Sequence, residues 1–344
     1  QKAIAFYKEN DRARARRAFE EFVESAASDT EKSIALVYLG IMAMEVERFA
    51  EAQHQLLRAR RFDEKNLAAL VNLAITERKL GNPQEARGIA MRARNLAPDD
   101  SRVAVLLGNI LSDIQDLPGA ISAYREGLKG DAHDPYLYYN LALSLLRAGN
   151  LEEAALYFAR SIELAPTGQM AVTSHAHLGQ LYFSQNRLEM AADHLNRAVQ
   201  LAPANAKYLY NLAVVYMRMG QNERAIELLD RALATSSDEG RVYRSLALAY
   251  QELGLVSRAE SALQKALFAN PNDLSALQDL GELYTKEKHL VKALDIYKRI
   301  VNITPGDSNT REALLALSRI YTDLERPVDA LDIDRKSTRL NSSH

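Results

Sequence analysis

The chain contains no cysteine and no tryptophan. Without cysteine there is no disulfide framework and no cysteine-based zinc or redox site. That absence suits the cytoplasm and the periplasm equally, so the compartment stays open. No apolar run reaches the roughly 18 residues that a bilayer-spanning helix needs, so no membrane span is expected. Charge of one sign is also lacking: 43 Lys and Arg stand against 45 Asp and Glu, a net charge of −2. Mixed charges give no field that would draw nucleic acid or an anionic membrane. The one basic cluster, Arg12, Arg14, Arg16 and Arg17, reads as a solvated helix face.

Chemistry-bearing patterns are scarce too. Glycine-rich phosphate loops and Ser–His–Asp signatures are missing. His175 and His177 stand two apart on an expected helix and point roughly 200° from one another, so they cannot share a metal. His54, His133, His194 and His289 are isolated and expected at the surface. Acid pairs such as Glu152 and Glu153 open helices, where they suit the dipole. No catalytic residue, metal ligand or cofactor is expected, and the chain reads as a non-enzyme.

What the sequence does have is a period. Ala15, Ala52, Ala86, Ala120, Ala154, Ala191, Ala225, Ala259, Ala293 and Ala330 are spaced 37, 34, 34, 34, 37, 34, 34, 34 and 37 residues apart. Twelve residues before each stands a small residue: Ala3, Gly40, Ala74, Gly108, Ala142, Gly179, Ala213, Ala247, Gly281 and Ser318. Leucine precedes that residue nine times, and an aromatic such as Tyr182, Tyr216, Tyr250 or Tyr284 follows three residues later. Leucine and aromatic, four apart, share one helix face. The small residue and the alanine let two helices approach closely. Gly81, Gly149, Gly220 and Gly254 fall between those helices, where positive φ is easy. All nine prolines lie at turns or repeat boundaries.

This pattern resembles the tetratricopeptide repeat family over residues 1–333, at the helix–turn–helix period of about 34. The tryptophan frequent near the start of the family's first helix is replaced here by Leu36, Leu70, Tyr138, Leu209, Tyr243, Leu277 and Leu314. The resemblance implies an all-α solenoid of antiparallel helix pairs coiled as a right-handed superhelix. It would hold eight complete repeats, starting near residues 33, 67, 101, 135, 172, 206, 240 and 274, with a partial repeat at each end, the last starting near 311. Where the spacing is 37, extra residues fall at 29–32, 166–170 and 305–309, and a bend or a one-turn extension of the next helix is expected. Residues 334–344 read as one frame of a common sequencing adapter and are expected to be a non-native, disordered tail. With no Met at position 1, the sequence is expected to be a piece of a longer chain.

In proteins of this family the first helices line the concave side. One inward position then carries Asn72, Asn140, His177, Asn211, Ser245 and Asp279, interrupted by Tyr38, Leu106 and Ala316. An amide donates and accepts, so a ladder of asparagines could pair with the backbone of an extended peptide, as in the arm of O-linked N-acetylglucosamine transferases. Apolar walls are expected from Val37, Ile41 and Met44 early on. In the fourth to sixth repeats they come from Tyr136, Tyr139, Leu143, Leu146, Phe183, Tyr210, Val214 and Met217, ringed by Arg147, Lys207, Arg218 and Arg244. The carboxylate clamp of chaperone-binding relatives is not matched, because Lys79, Asn109 and Asn140 occupy different positions. The expected function is a scaffold that binds a peptide segment of a protein partner. Two alternatives are kept: the substrate-selecting arm of a larger enzyme such as an O-linked glycosyltransferase, and an assembly factor of an envelope or secretion complex. The partner and the oligomeric state are left open.

Overall fold

The structure, a computed structural model, describes residues 1–26, 28–305 and 307–341. Among these, every regular element is an α-helix. In the partial first repeat they are α1 (Lys2–Lys8) and α2 (Arg12–Ser25). The helix pairs that follow are α3 (Asp29–Glu45) with α4 (Phe49–Phe62), α5 (Leu67–Lys79) with α6 (Pro83–Leu96), α7 (Ser101–Asp113) with α8 (Leu117–Gly130), and α9 (Pro135–Arg147) with α10 (Leu151–Leu164). Next come α11 (Gly168–Ser184) and α12 (Leu188–Leu201), α13 (Ala206–Arg218) and α14 (Asn222–Leu233), then α15 (Glu239–Glu252) and α16 (Val256–Ala269). The last are α17 (Leu274–Lys286) with α18 (Leu290–Ile303), and α19 (Ser308–Asp323) with α20 (Pro327–Asn341).

The alanine series is the axis of the packing. Nine of the ten alanines are completely buried, and Ala330 is nearly so. The small residue twelve positions earlier meets the large residue four positions after the alanine. A Cβ built on Gly40 would lie 2.7 Å from Cγ of Leu56, one on Gly179 2.5 Å from Cγ of Leu195, and one on Gly281 2.9 Å from Cζ of Tyr297. Interiors are packed at crystal-like density, so these helix pairs can close only because the site carries no side chain. The repeated leucine, from Leu39 through Leu317, is buried in all nine repeats that have it.

Punctuation follows the expected places and adds one regularity. Gly81, Gly149, Gly220 and Gly254 all have positive φ, between 70° and 82°. In the other six repeats the same position, five residues before the alanine, holds Asn10, Glu47, Gln115, Asn186, Lys288 or Glu325, with φ between 55° and 65°. The left-handed residue is therefore fixed by position, and only four repeats fill it with glycine. First helices begin on a side-chain cap: Ser28, Asn66, Asp100, Asp134, Asn205, Asp238, Asp273 and Asp307 each accept a backbone N–H. Each such cap contributes about 1 kcal/mol. Pro83 and Pro135 stand at the first position of their helices, where the missing N–H has no intrahelical partner to lose.

The three long spacings are absorbed as extra helix. α3 and α11 have 17 residues and α19 has 16, where α5, α7, α9, α13 and α17 have 13. This is the one-turn extension of the following helix. Gly306, inside the third insertion, lies outside the described residues. At the C-terminus α20 runs to Asn341, so residues 334–341 are helix where a disordered tail is expected; residues 342–344 lie outside the described ones. No helix among the described residues is long and apolar enough to cross a membrane.

The chain divides into two compact units, Gln1–Leu178 and Gly179–His344. In the N-terminal unit α3, α5, α7 and α9 lie side by side, as α13 and α15 do in the C-terminal unit.

Candidate functional site

In the N-terminal unit the first-helix face carries Tyr139, Asn140, Leu143 and Leu146 half-buried, with Tyr136 and Arg147 exposed. Tyr139 meets the ring of Phe158 edge-on at 5.9 Å, and His177 stacks on Phe158 at 5.2 Å. His177 is thus fixed by an aromatic neighbour. Arg147 donates to Oγ of Ser112 at 2.9 Å, which ties α9 to α7. Asn72 turns its amide back to the carbonyl of Ala68 at 2.8 Å, so the first rung of the amide ladder is occupied within its own helix. Asn109 accepts from Oη of Tyr124 at 2.7 Å. The apolar strip is longer than the sequence reading had it: Val71, Ile75 and Val105 continue it between Ile41 and Tyr139 in half-buried positions.

The basic cluster of α2 is answered by acids. Arg12 pairs with Glu45 at 2.9 Å, Arg14 with Asp11 at 2.7 Å, and Arg16 with Glu20 at 3.0 Å and also with Glu51. Glu77, almost fully buried on α5, accepts from the amides of Gln53 at 2.7 Å and Asn82 at 2.9 Å. Its carboxylate ties α5 to α4 and to the start of α6.

In the C-terminal unit, Tyr210, Asn211, Val214 and Met217 stand half-buried on α13, with Lys207 and Arg218 exposed at its two ends; Phe183 on α11 is also half-buried. Oη of Tyr210 accepts from Ser245 at 3.1 Å, and the Arg241 guanidinium sits 4.6 Å from the Tyr210 ring centre. The amide nitrogen of Asn211 is buried and has no partner among the described residues. Arg244, expected as a free rim cation, pairs with Asp279 of α17 at 2.9 Å. Burial pushes the Asp279 carboxyl above its ordinary range, with Arg244 opposing. Of the four expected rim cations, Arg147 and Arg244 are therefore bound between helices, while Lys207 and Arg218 reach solvent. His194, expected at the surface, is half-buried and stacks on Tyr182 at 5.5 Å.

Sequence reasoning passed over one feature. A cavity of about 330 Å³ opens among α17, α18 and α19, lined in part by Gln278, Glu282, Asn309, Glu312 and Arg319. Gln278 and Glu282 hold the positions of Tyr139 and Leu143 in the repeat register, and a search for apolar walls skips polar residues there.

A row of helix pairs with close-packed small residues and one inward face per first helix is the architecture of a helical repeat protein. The tetratricopeptide repeat model matches residues 39–101, 105–168 and 244–308, a second tetratricopeptide model matches 209–243, and a TPR repeat model matches 179–220. The chain belongs to the tetratricopeptide repeat family. Protein O-mannosyl-transferase TMTC3 of Mus musculus is 28% identical over 180 residues, which is 52% of this chain and 17% of that protein. Cellulose synthase operon protein C of Pseudomonas fluorescens is 22% identical over 199 residues, 54% of this chain and 16% of that one. The chain spans less than a fifth of the length of either relative. The crystal structure of a tetratricopeptide repeat protein from Parabacteroides merdae superposes with a TM-score of 0.51 at 18% identity, covering 74% of this chain and 98% of that one. That likeness is one of fold. Repeats of this type serve protein–protein interaction in general.

Proposed function

We propose that the chain is a non-catalytic scaffold that holds an extended segment of a partner protein on its first-helix faces. The observation that carries this reading is Asn211. A buried amide nitrogen without a partner costs about 1–3 kcal/mol, and such groups are rare in native interiors. A backbone carbonyl from an added strand of peptide would satisfy it regardless of the peptide's sequence. Tyr210, Val214 and Met217 on the same helix supply aromatic and methionine contact of the kind enriched at interface centres. Exposed Lys207 and Arg218 favour acidic residues in the segment.

The test uses the whole chain and fluorescent pools of short random-sequence peptides. Asn211→Ala, combined with Asn140→Ala, should weaken binding about fivefold or more, in line with the net value of one or two hydrogen bonds, with a melting temperature no lower than the parent's. Binding as tight as that of the parent chain would make the amides structural and defeat the reading.

A second reading has support in the relatives. The mouse protein is named for O-mannosyl transfer, and the matched stretch is a small part of it. On this reading the repeats are an arm that selects substrates for an enzyme domain in the same polypeptide. The full reading frame tests it: a transferase domain in that frame supports it, and a frame of repeats alone removes it.

A further inference from the structure

The first-helix face of the C-terminal unit changes sign along the chain. α13 and α15 present Lys207, Arg218, Arg241 and Arg244 with one acid, Glu252, whereas α17 and α19 present Asp279, Glu282, Glu312 and Asp323 with two cations, Lys286 and Arg319. Asp279 is answered by Arg244 at 2.9 Å. Glu282 and Glu312 are not: among the described residues neither has a cationic partner, and Glu282 accepts only a long bond of 3.4 Å from the Gln278 amide. Both residues line the 330 Å³ cavity, Glu282 from α17 and Glu312 from α19. The apolar part of the lining is made by residues such as Leu274, Tyr297, Ile300 and Ala316. Asn309 stands on the turn that the long spacing adds to α19, lines the cavity, and donates its amide to Asp307 at 3.2 Å.

We propose that this cavity receives an arginine side chain of the bound partner segment. The inference rests on the peptide-scaffold reading and names one determinant of it. An arginine carries an aliphatic stem that packs on apolar surface and a charged tip that stays polar. Its planar guanidinium offers five donors in a fixed fork, enough to engage carboxylates from two helices at once, where lysine offers a point charge. The Tyr297 ring adds a favourable surface for a cation. With Arg319 in the same lining, the charged side chains of the cavity leave a net charge of −1, which matches one cation and not two. The volume lies at the lower end of the roughly 300–1,000 Å³ of pockets that enclose whole small ligands, which suits one long side chain. A phosphate or an acidic side chain would meet two unpaired carboxylates and be repelled.

The test measures binding of the whole chain to three random-sequence peptide pools with Arg, Gln or Glu fixed at the central position. The Arg pool should bind about fivefold tighter than the Gln pool, the value of roughly one charge-assisted contact at a half-exposed site, while the Glu pool, which can engage Lys207 and Arg218 instead, should not lose binding in Glu282→Gln with Glu312→Gln. Glu282→Gln with Glu312→Gln should abolish that preference and leave binding of the Gln pool intact. The same charge change on the far helix α14, Glu223→Gln with Glu227→Gln, should retain it, which separates a specific site from general attraction by an acidic chain. All four glutamates are at the surface, so both variants should keep the parent's circular dichroism and melting temperature. Pools that bind without an arginine preference, or a preference that survives Glu282→Gln with Glu312→Gln, would overturn the arginine site and leave the scaffold reading standing. If no pool binds, both fall.

Discussion

Tyr124 fills the space that any side chain on Gly108 would need. A Cβ built on Gly108 would overlap the ring carbons of Tyr124, whose hydroxyl is held by Asn109 at 2.7 Å. The ring is 1% exposed and has nowhere to retreat. Gly108→Ala should therefore destabilise the chain by about 1–3 kcal/mol through overpacking. Gly88, in the middle of α6, has nothing within 4 Å of its would-be Cβ. Gly88→Ala should stabilise by about 0.5–1 kcal/mol, the helix-propensity difference. Chemical denaturation of the two variants checks the pair, and equal signs would refute the close-approach argument.

The same argument reaches the alanines. Ala225 is completely buried, and Ala225→Leu should cost more than about 1 kcal/mol. A melting temperature equal to the parent's would count against a packing role for the alanine series.

Glutamine and lysine are poor residents of the left-handed region, which costs an ordinary side chain roughly 1–2 kcal/mol. Gln115 (φ 65°) and Lys288 (φ 58°) both sit there. Gln115→Gly and Lys288→Gly should each stabilise by about 0.5–1 kcal/mol after the entropy glycine loses on folding. Gly149→Ala, at φ 82°, should destabilise by about 1 kcal/mol. Denaturant midpoints for the three variants give the signs directly.

Asn222 is 7% exposed and its side-chain oxygen has no partner among the described residues. The corresponding place three residues before the alanine holds Leu117, Leu151, Leu188 and Leu290 in other repeats. Asn222→Leu should stabilise by about 1 kcal/mol or more, because it removes an unsatisfied buried polar group. A loss of stability would mean that the asparagine has a partner in solution.

Burial holds the His194 imidazole below its ordinary pKa, with Asp193 opposing. The unfolded chain, near 6.5, then binds more protons than the folded one, so this stabilising contribution is complete above that value and is lost as pH falls through the folded value. Thermal melts between about pH 7.5 and 5.5 should show a fall that His194→Phe, which keeps an aromatic against Tyr182, makes shallower. Identical slopes would assign the acid sensitivity elsewhere.

Most of the fold is legible in the alanine period, because each mark in it has a direct steric cause: Gly40 faces Leu56, and Gly281 faces Tyr297. The left-handed turns were legible only where glycine fills them. Glu47 and Lys288 give no local signal and adopt that conformation because the helices on either side demand it. The candidate residues lie on first helices, as their place in the period implies, but their bonding is not legible in it. Whether Arg244 is free depends on Asp279, a repeat away, and whether Asn72 is available depends on a rotamer that bonds Ala68. Periodicity names the face a side chain shares, and partners on that face come from three-dimensional neighbours.

The chain has two kinds of joint. Inside every repeat the left-handed residue stands five positions before the alanine without exception, while all three long spacings fall between repeats. The inner joint is rigid in length and tolerant in sequence; the outer one accepts added residues and turns them into helix. Grafts, tags or engineered loops therefore belong at 166–170, where α11 already absorbs extra chain, and a single residue inserted beside Gln115 would throw one helix of the pair out of register with its mate.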